Sequence, residues 1–475
     1  MASDLPPGAD RPDDDGIPEG LRDLLRGLTG GADVPPQLVE MLKGAGLDQA
    51  DPAMLQGMIA QVQQLFAASD SDGPLSADLV RDVARRTAFD KGDPRVSVAD
   101  SQAVADAVGV ADLWLNTVTE IAAPGARGLA MSRSEWIEAT MPRWLDLVEP
   151  VARGVEDAAE TALGAQLGRL SPGDLPEGIF PPGTNPAAAM SQMSGVMRRI
   201  QSSMFSMQAG QGVGTLASDL LSGNEVGLPL TPAGDVVLLP EAVREFAQEL
   251  DLDEPQVRLF LAVRELARVR LFADVPWLAA QLLAAVRDYA GDITIDTDAI
   301  EHSLGSTDLS DPAALQEALS GTAFAPPSNS PAQAAALRRL EASLALVEGW
   351  VDVVATAAAR PHLPQVDALA EAVRRRRATG GPAEKTFSAL VGLELRPRRL
   401  RDAANLFAAL EAYGGAEARD AAWRHPDIAP GADDLDDPLG YVERSRTQVP
   451  DDMDAALEDL LRGESPGDAR GDAPS

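Results

Sequence analysis

The residues best suited to chemistry form an Arg-Glu-x-x-Arg sequence, with Arg264, Glu265 and Arg268 in an apolar stretch that predicts a helix over residues 254–272. The spacing matches the His-Glu-x-x-His frame, in which two histidines four residues apart on one helix face hold a zinc ion. Arginine has no lone pair to donate and stays protonated, so it cannot replace those histidines as a ligand. By itself, such a sequence is typical of an exposed charge pairing, which contributes only about 0.2–0.5 kcal/mol.

A second pair of candidate residues lies on a long apolar helix. Ser330 and Pro331 form a helix start, and apolar residues at spacings of three and four predict a helix to about residue 359. Because apolar side chains cover nearly all of its faces, this helix is predicted to be buried. Glu348 and Asp352, four residues apart on one face, would then be buried carboxylates that need a cation, a metal or hydrogen-bond donors. From this helix alone, a structural salt bridge and a functional site are both open.

The composition narrows the available chemistry. The chain of 475 residues has no cysteine, three histidines and a net charge of −34. The lack of cysteine excludes disulfides, thiolate zinc sites, iron–sulfur clusters and a cysteine nucleophile. The histidines, His302, His362 and His425, do not have the spacing of four residues that would supply a replacement zinc site. The large negative charge argues against nucleic acid and anionic membranes as partners.

Several longer stretches, taken together with these residues, carry a resemblance to a known family. They are Gly223–Leu230, Arg264–Phe272 with Val275–Trp277, Leu346–Asp352, Gly380–Phe387, Gly392–Arg399, and His425–Asp427 with Leu435–Pro438. On these stretches, most of residues 185–440 resembles the actinobacterial family of zincin-like metallopeptidases, whose members are often labelled zinc-dependent metalloproteases or hydrolases.

The resemblance implies roles for the candidate site residues. Glu265 would be the general base acting on a zinc-bound water, Glu348 would be the third zinc ligand, and Asp352 would be a supporting carboxylate that orients a ligand. The first two ligand positions are Arg264 and Arg268 in this chain. We therefore expect no cofactor, since zinc is implied by the resemblance alone. We expect the two arginines to pair with the three carboxylates and to replace the charge of the metal.

Two functions follow from this resemblance. The preferred one is a family member that has lost zinc binding and acts as a non-catalytic binding or scaffold protein for an unknown protein or peptide partner. The alternative is an active zinc-dependent metalloprotease or peptide hydrolase in which Glu265 is the general base. The sequence leaves open whether the chain is an enzyme, because it resembles one while both histidine ligand positions are arginine.

A basic segment stands out in this acidic chain. Residues 374–401 contain nine cations against two acidic residues, a net charge of +7. Its arginines are candidates for a site that binds anions or acidic peptides, and they include Arg374, Arg375, Arg376, Arg377, Arg396, Arg398 and Arg399. The alternative is internal pairing of these arginines with the acidic C-terminal region or with neighbouring helices.

A long helix is predicted in the N-terminal half of the chain. Ser132 and Glu135 have the spacing of a capping box and mark its start. Pro142 and Pro150 follow within the same helical pattern, and we expect them to kink or divide the helix because proline removes a backbone donor.

Helical patterns dominate the remaining sequence, and Asp235–Leu239 is the only convincing strand. We predict a mainly α, zincin-like fold of two helical lobes with at most a small β element and disordered acidic termini. The predicted parts are a disordered N-terminus at 1–20, a helical lobe at 21–230, a zincin-like lobe with the motif helices at 231–425, and an acidic, mostly disordered tail at 426–475. No signal peptide and no membrane span are predicted, which favours a cytoplasmic protein.

Overall fold

The structure is a computed structural model that describes residues 73–169, 186–291, 330–379 and 399–447. Twelve helices and one two-stranded sheet make up these residues, which confirms the prediction of a mainly α fold with a small β element. The predicted N-terminus at 1–20, His302, Arg396, Arg398 and the predicted tail beyond residue 447 lie outside the described residues.

The elements follow one another in a simple order. The first half contains α1 (Ala77–Phe89), α2 (Val98–Leu115), β1 (Arg127–Ala130), α3 (Arg133–Arg169) and α4 (Pro186–Asp219). The second half contains β2 (Asp235–Leu238), α5 (Pro240–Glu249), α6 (Glu254–Asp274), α7 (Pro276–Gly291), α8 (Pro331–Ala359), α9 (Val366–Thr379), α10 (Leu400–Ala421), α11 (Ala432–Asp436) and α12 (Pro438–Thr447).

The two strands form a parallel pair in which Arg127 lies opposite Asp235. Strand β2 is buried along its whole length, and its position confirms the predicted strand. Strand β1 was not predicted, because its sequence Arg-Gly-Leu-Ala lacks the β-branched and aromatic residues typical of strands. Gly128 allows β1 to approach α2 closely, since a Cβ atom there would lie 2.9 Å from the Ala105 Cα. The strands come from opposite sides of the predicted lobe boundary, and that division into lobes stays a prediction.

Helix α3 begins at the predicted capping box. The Glu135 backbone N–H donates to the Ser132 hydroxyl (3.2 Å), and the Ser132 backbone N–H donates to the Glu135 carboxylate (2.8 Å). Pro142 and Pro150 lie inside α3, which continues through both, so they do not divide the helix, and the kink stays a prediction. Each proline costs a helical hydrogen bond, but α3 buries large side chains such as Trp144 in the core, and this burial offsets the loss.

Helices α6 and α8 form the centre of the core. Every residue from Phe260 to Leu271 in α6 is buried, and most of α8 from Leu340 to Ala359 is buried too. Within the described residues, α8 is the one unbroken helix long and apolar enough to cross a membrane, yet 83% of its most apolar window is inside the protein. Helix α8 is therefore a buried core helix, as its apolar faces predict.

A close contact joins α8 to α10 on the far side of the core. A Cβ atom at Gly349 would lie 2.6 Å from the Ala403 Cβ and 2.7 Å from the backbone of the same residue. The glycine therefore brings the two helix axes together directly beside Glu348, and it helps to fix the position of that carboxylate.

The start of the predicted acidic tail is folded. Helices α11 and α12 lie within residues 426–447, and Tyr441 and Val442 of α12 are buried. The Tyr441 hydroxyl donates to the Ile428 carbonyl oxygen (2.7 Å), which fixes α12 to the preceding loop. The prediction of disorder therefore concerns residues 448–475, which lie outside the described residues.

Candidate functional site

Helices α6 and α8 bring five charged side chains together. Arg264, Glu265 and Arg268 come from α6, and Glu348 and Asp352 come from α8. Each of the five is at most 2% exposed, so the cluster is closed to solvent. We call these five residues the ion-pair cluster. The structure thus brings together all the residues that the Arg-Glu-x-x-Arg sequence and the second helix suggested.

Arg268 lies between the two glutamates. Its Nε and Nη2 atoms donate to the two carboxylate oxygens of Glu348, at 2.6 and 3.1 Å. Its Nη1 atom donates to the Oε2 atom of Glu265 at 2.8 Å. Such a bidentate pair is geometrically specific and stronger than a neutral hydrogen bond. A single guanidinium therefore links the two glutamates and ties α6 to α8.

Arg264 makes the second link between the two helices. Its Nη1 atom donates to the Asp352 Oδ1 atom at 2.9 Å, and its Nη2 atom donates to the Glu348 Oε2 atom at 3.2 Å. Glu348 is therefore bound by both arginines at the implied histidine positions. The predicted pairing of the arginines with the three carboxylates is confirmed by these distances.

Helix α9 contributes two further guanidinium groups. The Arg374 Nε atom donates to the Asp352 Oδ2 atom at 2.8 Å, and the Arg377 Nε atom lies 3.9 Å from the Glu348 Oε2 atom. Arg377 is itself buried. With these two groups, four guanidiniums surround three carboxylates, so the positive charge exceeds the negative charge by one.

The other arginines of the basic segment also have internal partners. The Arg376 guanidinium lies 3.4 Å from Glu225 and 5.5 Å from the centre of the Phe246 ring. Arg375 pairs with Glu371 on the surface at 2.8 Å. Arg399 pairs with Asp402 and with Asp436 of α11. These contacts favour the internal pairing alternative over an open anion-binding patch, for the five of its seven arginines that the structure describes.

The loop before β2 holds Glu265 from the other side. The Ser222 hydroxyl donates to the Glu265 Oε2 atom (2.8 Å), and the Asn224 backbone N–H donates to the Oε1 atom (2.7 Å). The Asn224 side chain fixes this loop, because its amide donates to the Thr231 hydroxyl and its carbonyl accepts from the Leu230 backbone N–H. Sequence reasoning missed Ser222 and Asn224 as contacts of Glu265, since nothing in local spacing reports a contact across about forty positions.

The two buried glutamates respond differently to their surroundings. Burial by itself would raise the pKa of Glu348, but Arg268, Arg377 and Arg264 outweigh it and hold this pKa at about 2. Burial raises the pKa of Glu265 above its ordinary value, because Arg268 and the donors of Ser222 and Asn224 only partly oppose the loss of solvent. Burial alone would lower the pKa of Arg268, but the attraction of Glu348 and Glu265 raises it.

Acid is expected to remove the stabilisation that Glu348 provides. Its pKa is about 2 in the folded chain against an ordinary value of 4.5. A lowered pKa favours folding only while the unfolded carboxyl is ionised, so the contribution is complete above pH 4.5 and falls as the pH drops towards 2. The whole shift corresponds to about 3 kcal/mol.

The measurement compares wild type with Glu348→Gln by urea unfolding at a series of pH values between about 6 and 3. The difference in free energy of unfolding should shrink as the pH falls, because the unfolded wild type takes up a proton at Glu348 below pH 4.5 while the folded carboxylate stays ionised, and the variant has no such group. Glu265 is present in both proteins, so its raised pKa largely cancels. A difference that stays constant over this range would contradict the proposed charge state of Glu348.

The residues in the ion-pair cluster do not fit a zinc ion. Of the three implied ligands only Glu348 is a possible one, and both of its oxygens accept hydrogen bonds from arginine. Among the described residues, no group of three or more His, Asp or Glu side chains could hold a metal. His362 stacks on Trp114 at 4.3 Å, and the His425 Nδ1 atom accepts from the Asp427 backbone N–H.

The role of Glu265 as a general base stays a prediction. A general base must reach the proton that it removes, directly or through one water. Glu265 is fully buried, and both of its oxygens accept hydrogen bonds from Arg268, Ser222 and Asn224. The arrangement therefore holds this carboxylate as an acceptor inside the protein.

A cavity of about 200 Å³ lies beside the cluster. Its walls come from the loop that includes Asn224 and Thr231, from the end of α6 at Val269 and Phe272, and from α7. Asn224 belongs to both places, because its backbone binds Glu265 while the residue lines the cavity.

Comparisons with known proteins agree on one family and one fold. The sequence pattern of the zincin-like metallopeptidase family matches residues 76–442. The fold is similar to a crystal structure from Chloroflexus aurantiacus, described as that of "a putative hydrolase with a novel fold", with a TM-score of 0.53. The alignment has 16% identity and covers 79% of this chain and 100% of that chain, so the likeness concerns the fold alone. Among curated proteins, none matches the chain.

Proposed function

The chain belongs to the zincin-like metallopeptidase family, and we propose that it is a metal-free member that acts as a non-catalytic binding or scaffold protein. One observation carries this proposal. Arg264 and Arg268 occupy the two histidine ligand positions and are bound to Glu348, the carboxylate at the third ligand position. The side chains at the three implied ligand positions therefore bind one another.

Charge supports the same proposal. Two guanidinium groups carry the charge of one divalent cation, and they lie where the carboxylates of α6 and α8 converge. They would repel a zinc ion, and their fixed charges keep the two helices paired without one. Buried ion pairs of this kind act more to fix the geometry of the helices that carry them than to add net stability.

The binding role is proposed because the ion-pair cluster is closed to solvent and other parts of the protein remain accessible to a partner. Since Glu265 is enclosed, the surface and the neighbouring cavity are the places where this protein can meet another molecule. We propose that the partner is a protein or peptide, because the net charge of −34 disfavours nucleic acid and anionic membranes. We also propose a cytoplasmic location for this protein.

The test is the zinc content of the purified full-length protein, measured by mass spectrometry after dialysis against zinc and then buffer. We expect far less than one zinc per chain and no zinc-dependent peptide hydrolysis. The matched variants are Glu348→Gln in the cluster and Glu371→Gln on the surface of α9, which corrects for loose binding to carboxylates. One zinc per chain that disappears in Glu348→Gln and persists in Glu371→Gln would favour the alternative, an active metallohydrolase that uses Glu265.

A further inference from the structure

We infer that the cavity beside the ion-pair cluster binds the C-terminal residue of a peptide, taking its apolar side chain inside and its carboxylate at Arg143. The inference rests on the proposed function, because it names the feature of the partner that a binding protein of this kind would recognise. The cavity lies between the loop before β2, the C-terminal end of α6, and α7.

The size of the cavity limits its occupant to one compact group. Its volume of about 200 Å³ lies below the roughly 300–1,000 Å³ of sites that enclose drug-sized molecules. It exceeds the apolar cavity of about 150 Å³ that is known to hold a benzene ring. A single leucine-sized or phenylalanine-sized side chain therefore suits this space, whereas a longer segment of peptide does not.

The walls are chiefly apolar. On α6, Val269 directly follows Arg268 and Phe272 lies one turn beyond it, and Ala279 and Leu283 come from α7. Among the polar residues of the wall, Asn224 and Thr231 are hydrogen-bonded to each other at 2.8 Å. Their polar groups are thus already satisfied, and the surface that remains favours an apolar side chain.

The charge of the wall selects for an anion. Arg143 of α3 carries the one charge among the described residues of the wall, and it is about 55% exposed, so it lies where the cavity meets solvent. Its ion pair with Asp146 is long, at 3.5 Å, and both partners are half exposed, so the pair is weak. The planar guanidinium can therefore bind a carboxylate through two parallel hydrogen bonds.

An apolar wall and one cation at the rim define a specific ligand chemistry. The cavity takes a side chain, and the cation takes a carboxylate a few atoms away, which is the arrangement at the C-terminal residue of a peptide. The preceding residues of the peptide would lie outside, because Pro232, Ala233 and Ala273 on the rim are exposed. An internal peptide segment lacks the carboxylate and would not satisfy Arg143.

The experiment titrates the full-length protein with the peptide acetyl-Ala-Ala-Leu by calorimetry. The same peptide with a C-terminal amide tests the carboxylate, and acetyl-Ala-Ala-Gly tests the side chain. We expect the free acid to bind about 10-fold more tightly than the amide, because a hydrogen bond to a charged group is lost in the amide. We expect the leucine peptide to bind about 10-fold or more tightly than the glycine peptide, from burial of the side chain.

Protein variants test the two parts of the cavity separately. Arg143→Gln should bind the acid and the amide equally, whereas Arg153→Gln, an exposed arginine two turns or more along α3, should behave as wild type. Ala279→Phe should fill the cavity and remove the preference for leucine over glycine. Its circular dichroism and melting temperature are measured alongside, and Leu283→Phe is a second filling variant should Ala279→Phe unfold.

Several results would overturn the inference. Equal binding of acid and amide by wild type excludes recognition of the carboxylate, and binding that survives a folded filling variant places the ligand elsewhere. Free 4-methylpentanoate binding as tightly as the peptide would show that a small acid, and not a peptide, is the ligand. Zinc content is measured on the same sample. Stoichiometric zinc with intact peptide binding would refute only the proposed metal-free state. No zinc and no peptide binding would refute only the proposed binding of a peptide in the cavity.

Discussion

Replacing Arg268 with methionine is expected to lower the free energy of unfolding by about 3–5 kcal/mol, which is a large part of the stability of an ordinary domain. The Arg268 guanidinium donates to both oxygens of Glu348 and to one oxygen of Glu265. Methionine fills similar space but carries no charge, so both glutamates keep the cost of burial while losing this partner. Glu265 is affected more, because Arg268 is its cation in the cluster.

Urea unfolding followed by circular dichroism measures this loss. The matched control is Arg375→Met on α9, where the arginine is about 75% exposed and pairs with Glu371 at the surface. An exposed pair of this kind contributes about 0–1 kcal/mol, so the control should be nearly neutral. Combining Arg268→Met with Glu348→Gln should cost less than the sum of the two changes, because the second change removes a buried charge that the first deprives of its bidentate partner. Equal effects of Arg268→Met and Arg375→Met would refute a structural role for the cluster.

The ion-pair cluster was predictable because each step depended on residue type and helical spacing. Glu348 and Asp352 lie within a helix that is apolar on all faces, and buried carboxylates require partners. Because α6 is also buried, its residues Arg264 and Arg268 are cations that can pair with these two carboxylates. The start of α8 was predictable for a similar reason, since the Ser330 hydroxyl accepts from the Gln333 backbone N–H as a helix cap does.

The contributions of other elements to the site were not predictable from local patterns. Arg374 and Arg377 look like part of a surface charge run, yet their spacing of three places both on the side of α9 that meets α8. Whether that side faces the core or solvent depends on how α9 packs, which residue spacing within α9 does not encode. Ser222 and Asn224 reach Glu265 only because the loop before β2 folds across α6.

Strand β1 shows how tertiary structure overrides local preference. Its four residues have weak strand propensity, but β2 is buried, and its backbone donors and acceptors need a partner. The β1 segment supplies that partner, and Arg127 pairs with Asp235 at one end (2.7 Å). Small residues such as Gly128 then matter more than propensity, because the strand must pass close to α2.

Restoring histidine at both arginine positions is expected to create zinc binding. In Arg264→His with Arg268→His, two histidines four residues apart on α6 would face Glu348. The two histidines and Glu348 together would be three potential zinc ligands. The change removes two positive charges, and a zinc ion returns the same charge to the same carboxylates. Without zinc the double variant should be markedly destabilised, because Glu348 and Asp352 lose the guanidiniums of Arg264 and Arg268 and keep only those of Arg374 and Arg377.

Thermal unfolding of the double variant with and without zinc measures this gain. Zinc at a hundred times its dissociation constant should stabilise the variant by about 2.7 kcal/mol, whereas the wild type should not respond. Two controls separate ligation from the loss of charge. Arg264→Gln with Arg268→Gln removes the same charges without adding ligands and should not recover with zinc, and adding Glu348→Gln to the histidine variant should abolish the response. If zinc fails to stabilise a folded histidine variant, then Arg264 and Arg268 are not the groups that exclude the metal. The exclusion would then come from Arg374 and Arg377, the other two cations beside these carboxylates.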